Sequence, residues 1–248
     1  MPDIVISNEG SVRKIRMNRP EKKNALTLAM YETMAAAIED AGTQTSVRCL
    51  LLAGAPDVFC AGNDLNDFVA MARSGALGAS IVRFLHVLAR CEKPLVAAVS
   101  GAAVGIGTTM LLHCDQVIAS DNAVLLTPFV SLGLLPEAGS SLIAPRLIGH
   151  ARAFSLLVMG KPLSATDARA VGIVNAVVPA AELDAQSLAI ARDIAALPPE
   201  SVATARRLMR GSVEEVAARI DEEVEAFRMR LASPEAQAAL AAFLTRKR

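Results

Sequence analysis

The sequence predicts a layered α/β fold, on three observations. Strand and helix signals alternate through its first half, as βαβ units require. Residues 94–114 form a run of 21 without one Asp, Glu, Lys or Arg, whereas residues 199–248 hold 17 charged residues in 50, so a buried centre precedes a surface-rich helical end. With 248 residues, 53% of them hydrophobic, the chain has material for a sizeable core and is not intrinsically disordered.

Residues 11–17 read as the first strand. Thr27 then caps a helix whose apolar positions Leu28, Tyr31, Met34 and Ile38 recur near the helical period, with an end expected before Gly42. Residues 49–53 are short and wholly apolar, a buried strand. Residues 94–99 are another, followed by a glycine-punctuated turn and a helix from about Gly107 to Leu112. The whole run from Pro94 to Cys114 is long enough to span a bilayer. Its Gly101, Gly105 and Gly107, with Ser100, Thr108 and Thr109, make it a buried strand, turn and helix instead. Residues 116–119 and 124–126 supply further short strands. Ser164 with Asp167 resembles a capping box for a helix ended by Gly172, and residues 173–178 are a strand. Leu197-Pro198-Pro199 is a hinge. Beyond it Ser212 and Glu215 make a second capping box, and Val216, Ile220, Val224 and Phe227 share one stripe of the helix running to Leu231. Ser233-Pro234-Glu235 starts the last helix with proline at its first position.

Charge narrows the function. Twenty-five Lys and Arg balance 25 Asp and Glu, so there is no global positive field for nucleic acid or a membrane surface, and an anionic ligand must be held locally. Cys49, Cys60, Cys91 and Cys114, at spacings of 11, 31 and 23, fit neither a disulfide framework nor a metal knuckle and read as buried thiols. The opening MPDIVISNEG has no signal or transit pattern and the final TRKR is not a peroxisomal address, so a cytoplasmic location is expected.

Three segments can carry chemistry. Residues 59–65 (FCAGNDL) and 100–107 (SGAAVGIG) each set glycine between a strand and a probable helix, where backbone N–H groups are free. They are either plain tight turns or two halves of an oxyanion hole. Neither has the GxGxxG order of a dinucleotide site. In the third, Glu137 is the only ionisable residue between Ala123 and Pro145. It is either a buried acid with a raised pKa, able to take and return a proton, or a cap for a helix starting near Ala138. His86, His113 and His150 lack metal spacing, and Ser140 and Ser141 lack a nucleophile-elbow context. Asp64 and Asp67 can share a helical face, with Asp64 a turn cap; Asp115 is expected to end a helix and bond backbone. Arg19, Lys22 and Lys23 form a small basic cluster, either a solvated loop or a phosphate contact.

Together these segments resemble the crotonase superfamily, the enoyl-CoA hydratases and isomerases. Residues 18–26 (NRPEKKNAL) are similar to its opening motif, 59–65 to its first oxyanion turn, and 93–115 to its second. The resemblance implies a ββα spiral core over residues 1–196 and a C-terminal helical trimerisation region over 197–248, with trimers or hexamers as the assembly. It places the oxyanion N–H groups on Asn63 and Ile106, holding the carbonyl of an acyl-CoA thioester. Coenzyme A would lie at Ala25, Ala61, Gly62, Asp64 and Leu65, its phosphates near Lys22 and Lys23. The coenzyme is part of the substrate, and no metal or further cofactor is implied. Where the hydratases carry their two glutamates this chain has Thr109 and Phe129, neither able to transfer a proton, which argues against ordinary hydration. Residues 127–141 resemble the peroxisomal-type Δ3,Δ2-enoyl-CoA isomerases, in which one glutamate, here Glu137, does the chemistry. The alternatives are a hydratase or another enolate-forming reaction, or a non-catalytic acyl-CoA-binding protein. Phe84, Leu126 and Phe129 are candidates to limit the acyl tunnel.

Overall fold

The computed structural model describes residues 1–74 and 76–246. It opens with a hairpin, β1 (Ile4–Glu9) paired antiparallel to β2 (Val12–Met17), and α1 (Leu28–Thr43) follows, capped by the Thr27 hydroxyl accepting from the Met30 N–H. Next come β3 (Cys49–Ala53), β4 (Val58–Cys60), α2 (Leu65–Ser74) and α3 (Ala79–Arg90). The apolar run is divided into β5 (Leu95–Val99), β6 (Ala102–Val104) and a short α4 (Ile106–Thr109), leading to β7 (Gln116–Ser120) and β8 (Val124–Leu126). After a long loop, α5 (Ser140–Ile148), α6 (His150–Leu157), β9 (Leu163–Ser164), α7 (Ala165–Ala170) and β10 (Ala176–Val178) complete the sheets. Four helices close the chain: α8 (Leu183–Ala196), α9 (Pro199–Arg210), α10 (Val213–Leu231) and α11 (Pro234–Arg246).

The strand order reveals a ββα spiral. One sheet runs β1-β2-β3-β5-β7-β10 and the other β4-β6-β8-β9, so each turn of chain adds one strand to each sheet before a helix returns it. Parallel neighbours require such crossovers. In β3 and β5 every residue is buried, and alternation divides β3 between two cores. Leu50 and Leu52 face the main core, while Cys49, Leu51 and Ala53 face the layer formed by α8.

Several elements differ from expectation. Helix α1 runs through Gly42 to Thr43, because Gly42 does not adopt the left-handed conformation that would end it and the chain turns extended only at Gln44. The strand expected over 173–178 is confined to 176–178, since the Ile173 and Val174 N–H groups both close onto the Ala168 carbonyl at the end of α7. The helix expected after residues 59–65 is α2, whereas the turn after β5 contains a further strand, β6, and α3 was not expected.

The C-terminal helices pack on the chain's own core. Ile220, Phe227 and Leu231 of α10, with Ala236 and Leu240 of α11, belong to the main hydrophobic cluster. Helix α9 is anchored differently, by Arg206, whose Nε donates to both Asp115 oxygens at 2.9 and 2.8 Å. Asp115 in turn accepts the Leu95 N–H at 2.8 Å. The Arg206 side chain is 9% exposed, so removing it strands a carboxylate at a partly buried corner. Arg206→Ala is expected to lower unfolding stability by about 2–4 kcal/mol in urea titrations. Arg207→Ala, on the exposed side of the same helix, should change it by less than about 0.5 kcal/mol.

Candidate active site

Two turns and a loop converge on a cavity of about 400 Å³. One turn links β4 to α2 and the other links β6 to α4; parallel pairing of the two strands, with Cys60 opposite Ala103, sets the turns side by side. Glycine permits that approach. A Cβ on Gly62 would stand 3.2 Å from the Val104 carbonyl oxygen, and one on Gly107 only 2.8 Å from that of Cys60. Asn63 and Ile106 lie on these turns, and among the described residues neither backbone N–H has an acceptor. For Ile106 this follows from its place as the first residue of α4.

Neighbouring bonds hold Asn63 in place. The Leu26 N–H donates to the Gly62 carbonyl and the Asp64 N–H to the Leu26 carbonyl, both at 2.8 Å. The buried Tyr31 hydroxyl donates to Asn63 Oδ1 at 2.6 Å. The Lys22–Ala25 loop is fastened to the same turn: Ala61 N–H donates to the Lys23 carbonyl at 3.0 Å, and the buried Asn24 amide donates to the Val58 and Phe59 carbonyls. Arg19 does not join Lys22 and Lys23 as an anion contact. Its guanidinium is spent on the Ala25 carbonyl, at 3.0 Å, and on Asp64 Oδ2, at 2.7 Å. Asp64 also accepts the Asn66 N–H, as a turn cap does, whereas Asp67 accepts the Leu28 N–H at the start of α1.

Lys22, Lys23, Ala25, Ala61, Gly62, Asn63, Asp64, Leu65 and Ile106 thus all line one cavity. Glu137 does not line this cavity; it is buried, 9% exposed, with Oε1 accepting the Thr109 hydroxyl at 2.5 Å. Burial, with a smaller push from Glu223 and against the Thr109 bond, raises its carboxyl from 4.5 to about 8. The next two residues are left-handed, Ala138 at φ 63° and Gly139 at φ 69°. His113 Nε2 lies 2.7 Å from the Ala138 carbonyl and donates to it, while burial lowers this imidazole to about 4 and keeps it neutral.

Of the two readings of Glu137, helix cap is excluded. The first turn of α5 is capped by Glu223 of α10, whose oxygens accept the Gly139 N–H at 2.6 Å and the Ser141 N–H at 2.9 Å. The four cysteines are free thiols, three of them buried.

The profile described as enoyl-CoA hydratase/isomerase matches residues 7–248. The chain belongs to this family, within the crotonase superfamily. It is 38% identical to rat enoyl-CoA delta isomerase 2 over 98% of its own length, and it spans 64% of that relative. It is 35% identical to mouse peroxisomal enoyl-CoA delta isomerase 3, over 99% of this chain and 79% of that one. The fold matches OdaA of Pseudomonas aeruginosa with a TM-score of 0.93 and 43% identity, covering 98% of this chain and 99% of the other.

Within this crotonase frame, sequence reasoning missed Tyr31 and Glu223. Tyr31 was legible only as an apolar helix position, and its hydroxyl partner is 32 residues away. Glu223 sits on the apolar stripe between Ile220 and Phe227, buried at 7% exposure, and that misplaced carboxylate was the available signal. Phe129 lines the cavity as expected. Phe84 and Leu126 do not; Phe84 packs edge-on against Tyr31, ring centroids 5.4 Å apart.

Raising an acid by burial has a cost in stability. Between about pH 4.5 and pH 8 the folded state holds a proton at Glu137 that the unfolded chain has released, so stability falls as pH rises through this window. Glu137→Gln, which keeps an acceptor for Thr109, removes that cost. Denaturant titrations should find the variant more stable than wild type by on the order of 3 kcal/mol at pH 8, with the gap closing near pH 4.5.

Proposed function

We propose that the protein is a Δ3,Δ2-enoyl-CoA isomerase with Glu137 as its one proton carrier. The observation that carries the reading is a buried carboxyl not spent on backbone donors, joined through Thr109 to the same short segment that offers the free Ile106 N–H beside that of Asn63. In this reading the two N–H groups hold the thioester carbonyl oxygen. Glu137 removes a proton from C2 of a 3-enoyl-CoA, and the resulting dienolate places its negative charge on that oxygen. The proton then returns to C4: the C2–H and the C3–C4 double bond are lost, and a C2–C3 double bond and a C4–H are gained. No atom is added overall and no oxidation state changes, so the step calls for no metal or redox cofactor, and coenzyme A enters as part of the substrate.

Hydration needs a second group to direct water, and Thr109 and Phe129 stand where the resemblance places the hydratase glutamates. The names of the rat and mouse relatives support the isomerase reading. The cavity wall supplies Ala25, Ala61, Gly62, Asp64 and Leu65 for the coenzyme, with Lys22 and Lys23 for its phosphates. Assembly as a trimer or hexamer and a cytoplasmic location complete the proposal.

The base acts only once ionised, so kcat/KM for isomerisation should rise with pH and level off above about pH 8. The purified protein and Glu137→Gln are incubated with a medium-chain 3-enoyl-CoA and with a 2-enoyl-CoA, and all products are identified by mass and chromatography. Conversion of the 3-enoyl to the 2-enoyl thioester is expected, falling at least about a hundredfold in the variant. A 3-hydroxyacyl-CoA as main product, isomerisation unaffected by the substitution, or acyl-CoA binding without turnover would each overturn the assignment.

A further inference from the structure

The turn that carries Glu137 is held from the far end of the chain. Glu223 reaches it from α10, 84 residues away, accepting the Gly139 N–H with one oxygen and the Ser141 N–H with the other. These are orphan donors at the start of α5, where the helix dipole favours a negative charge. Glu137 has no such donors; its described side-chain bond is to a hydroxyl. We propose that Glu223 is a positioning residue for the proton carrier: it takes the negative charge at this helix end, fixes the 138–141 turn, and by its charge keeps the proton on Glu137.

Burial pushes the Glu223 carboxyl up, while its bonds from the Ser141 and Gly139 N–H groups and the nearby Arg219 favour its charged form. Tyr31 from α1 is held well above its usual 10 and Cys60 from β4 is pushed up to about 12, both mainly by burial. His113, bonded to the adjacent Ala138 carbonyl, is neutral. All three are therefore uncharged at pH 7. Arg219, one turn before Glu223 on α10, donates to the Ser141 hydroxyl at 3.3 Å and so stands on the Glu223 side of the turn. The two carboxyls differ in their partners, Glu223 having two backbone N–H donors that favour its charged form and Glu137 a single hydroxyl, so of the two Glu223 is the one built to carry the charge.

The role of Glu137 as base rests on the isomerase reading, but its proton affinity can be read without substrate. The band of a protonated buried carboxyl, taken as the infrared difference between wild type and Glu137→Gln, is titrated in three backgrounds: wild type, Glu223→Gln and Glu223→Asp. Glu223→Gln, which removes the charge and keeps one acceptor, should move the Glu137 midpoint down by roughly half to one pH unit. Glu223→Asp, which keeps the charge, should leave it nearly in place even where it costs stability. An unmoved midpoint in folded Glu223→Gln, or equal shifts in both variants, overturns the proposal and leaves Glu223 a structural cap. Should Glu223→Gln fail to fold, a midpoint displaced in Glu223→Asp overturns it and a retained one supports it. Where wild type isomerises a 3-enoyl-CoA, the rising limb of kcat/KM should move with the infrared midpoint while KM holds. A shifted midpoint with an unshifted limb supports the role of Glu223 and removes Glu137 as the base, so the two readings fail separately.

Discussion

The start of α5 presents backbone N–H groups that must find an acceptor, and the carboxylate that supplies it determines what the neighbouring acid can do. Glu137 is the nearer in sequence, two residues before Gly139. If it capped the helix, hydrogen bonds to its charged form would oppose the effect of burial and it would be spent on structure. Glu223 takes that place instead, and Glu137 is left with a hydroxyl partner and apolar surroundings. A helix cap made across the molecule is thus what leaves the local carboxyl without backbone donors.

The second dependence is on the spiral itself. In two successive circuits a strand of three residues in the smaller sheet ends almost as soon as it pairs, and the turn that follows leaves an N–H free. Register places Cys60 against Ala103, and the two glycines let the successive turns close to contact distance. No side chain is needed to make the pair of donors. Side chains enter only to orient them, as Tyr31 does through the Asn63 amide.

Much of this was legible in the sequence because it rests on local rules. The Thr27 and Ser164 caps, the buried runs at 49–53 and 94–99, and the stripe on α10 are periodicity and capping chemistry, and the structure bears them out. The glycine turns and the isolated acid at 137 were visible for the same reason. What could not be read were relations between distant residues. Arg19 looked like a surface cation until Asp64, 45 residues on, claimed it. The Ser212–Glu215 box is only half formed, since the Glu215 carboxylate is drawn away to Arg146. The choice between acid and cap at Glu137 turned on a residue in another helix, and neither spacing nor composition around position 137 contains that information.

Helix α10 joins these strands of argument. Glu223 and Phe227 are one helical turn apart, hence on the same face. The first caps the turn that holds Glu137, and the second lines the cavity and meets Phe68 of α2 edge-on, centroids 6.4 Å apart. Part of the cavity wall and the carboxylate that caps the turn beside Glu137 are therefore carried by one helix. Packing of α10 against α3 is reinforced by His86 bonding Asp221 at 2.9 Å, two residues before Glu223. A displacement of this helix acts on the cavity and on Glu137 together, so the C-terminal helices belong to the site as much as the glycine turns do.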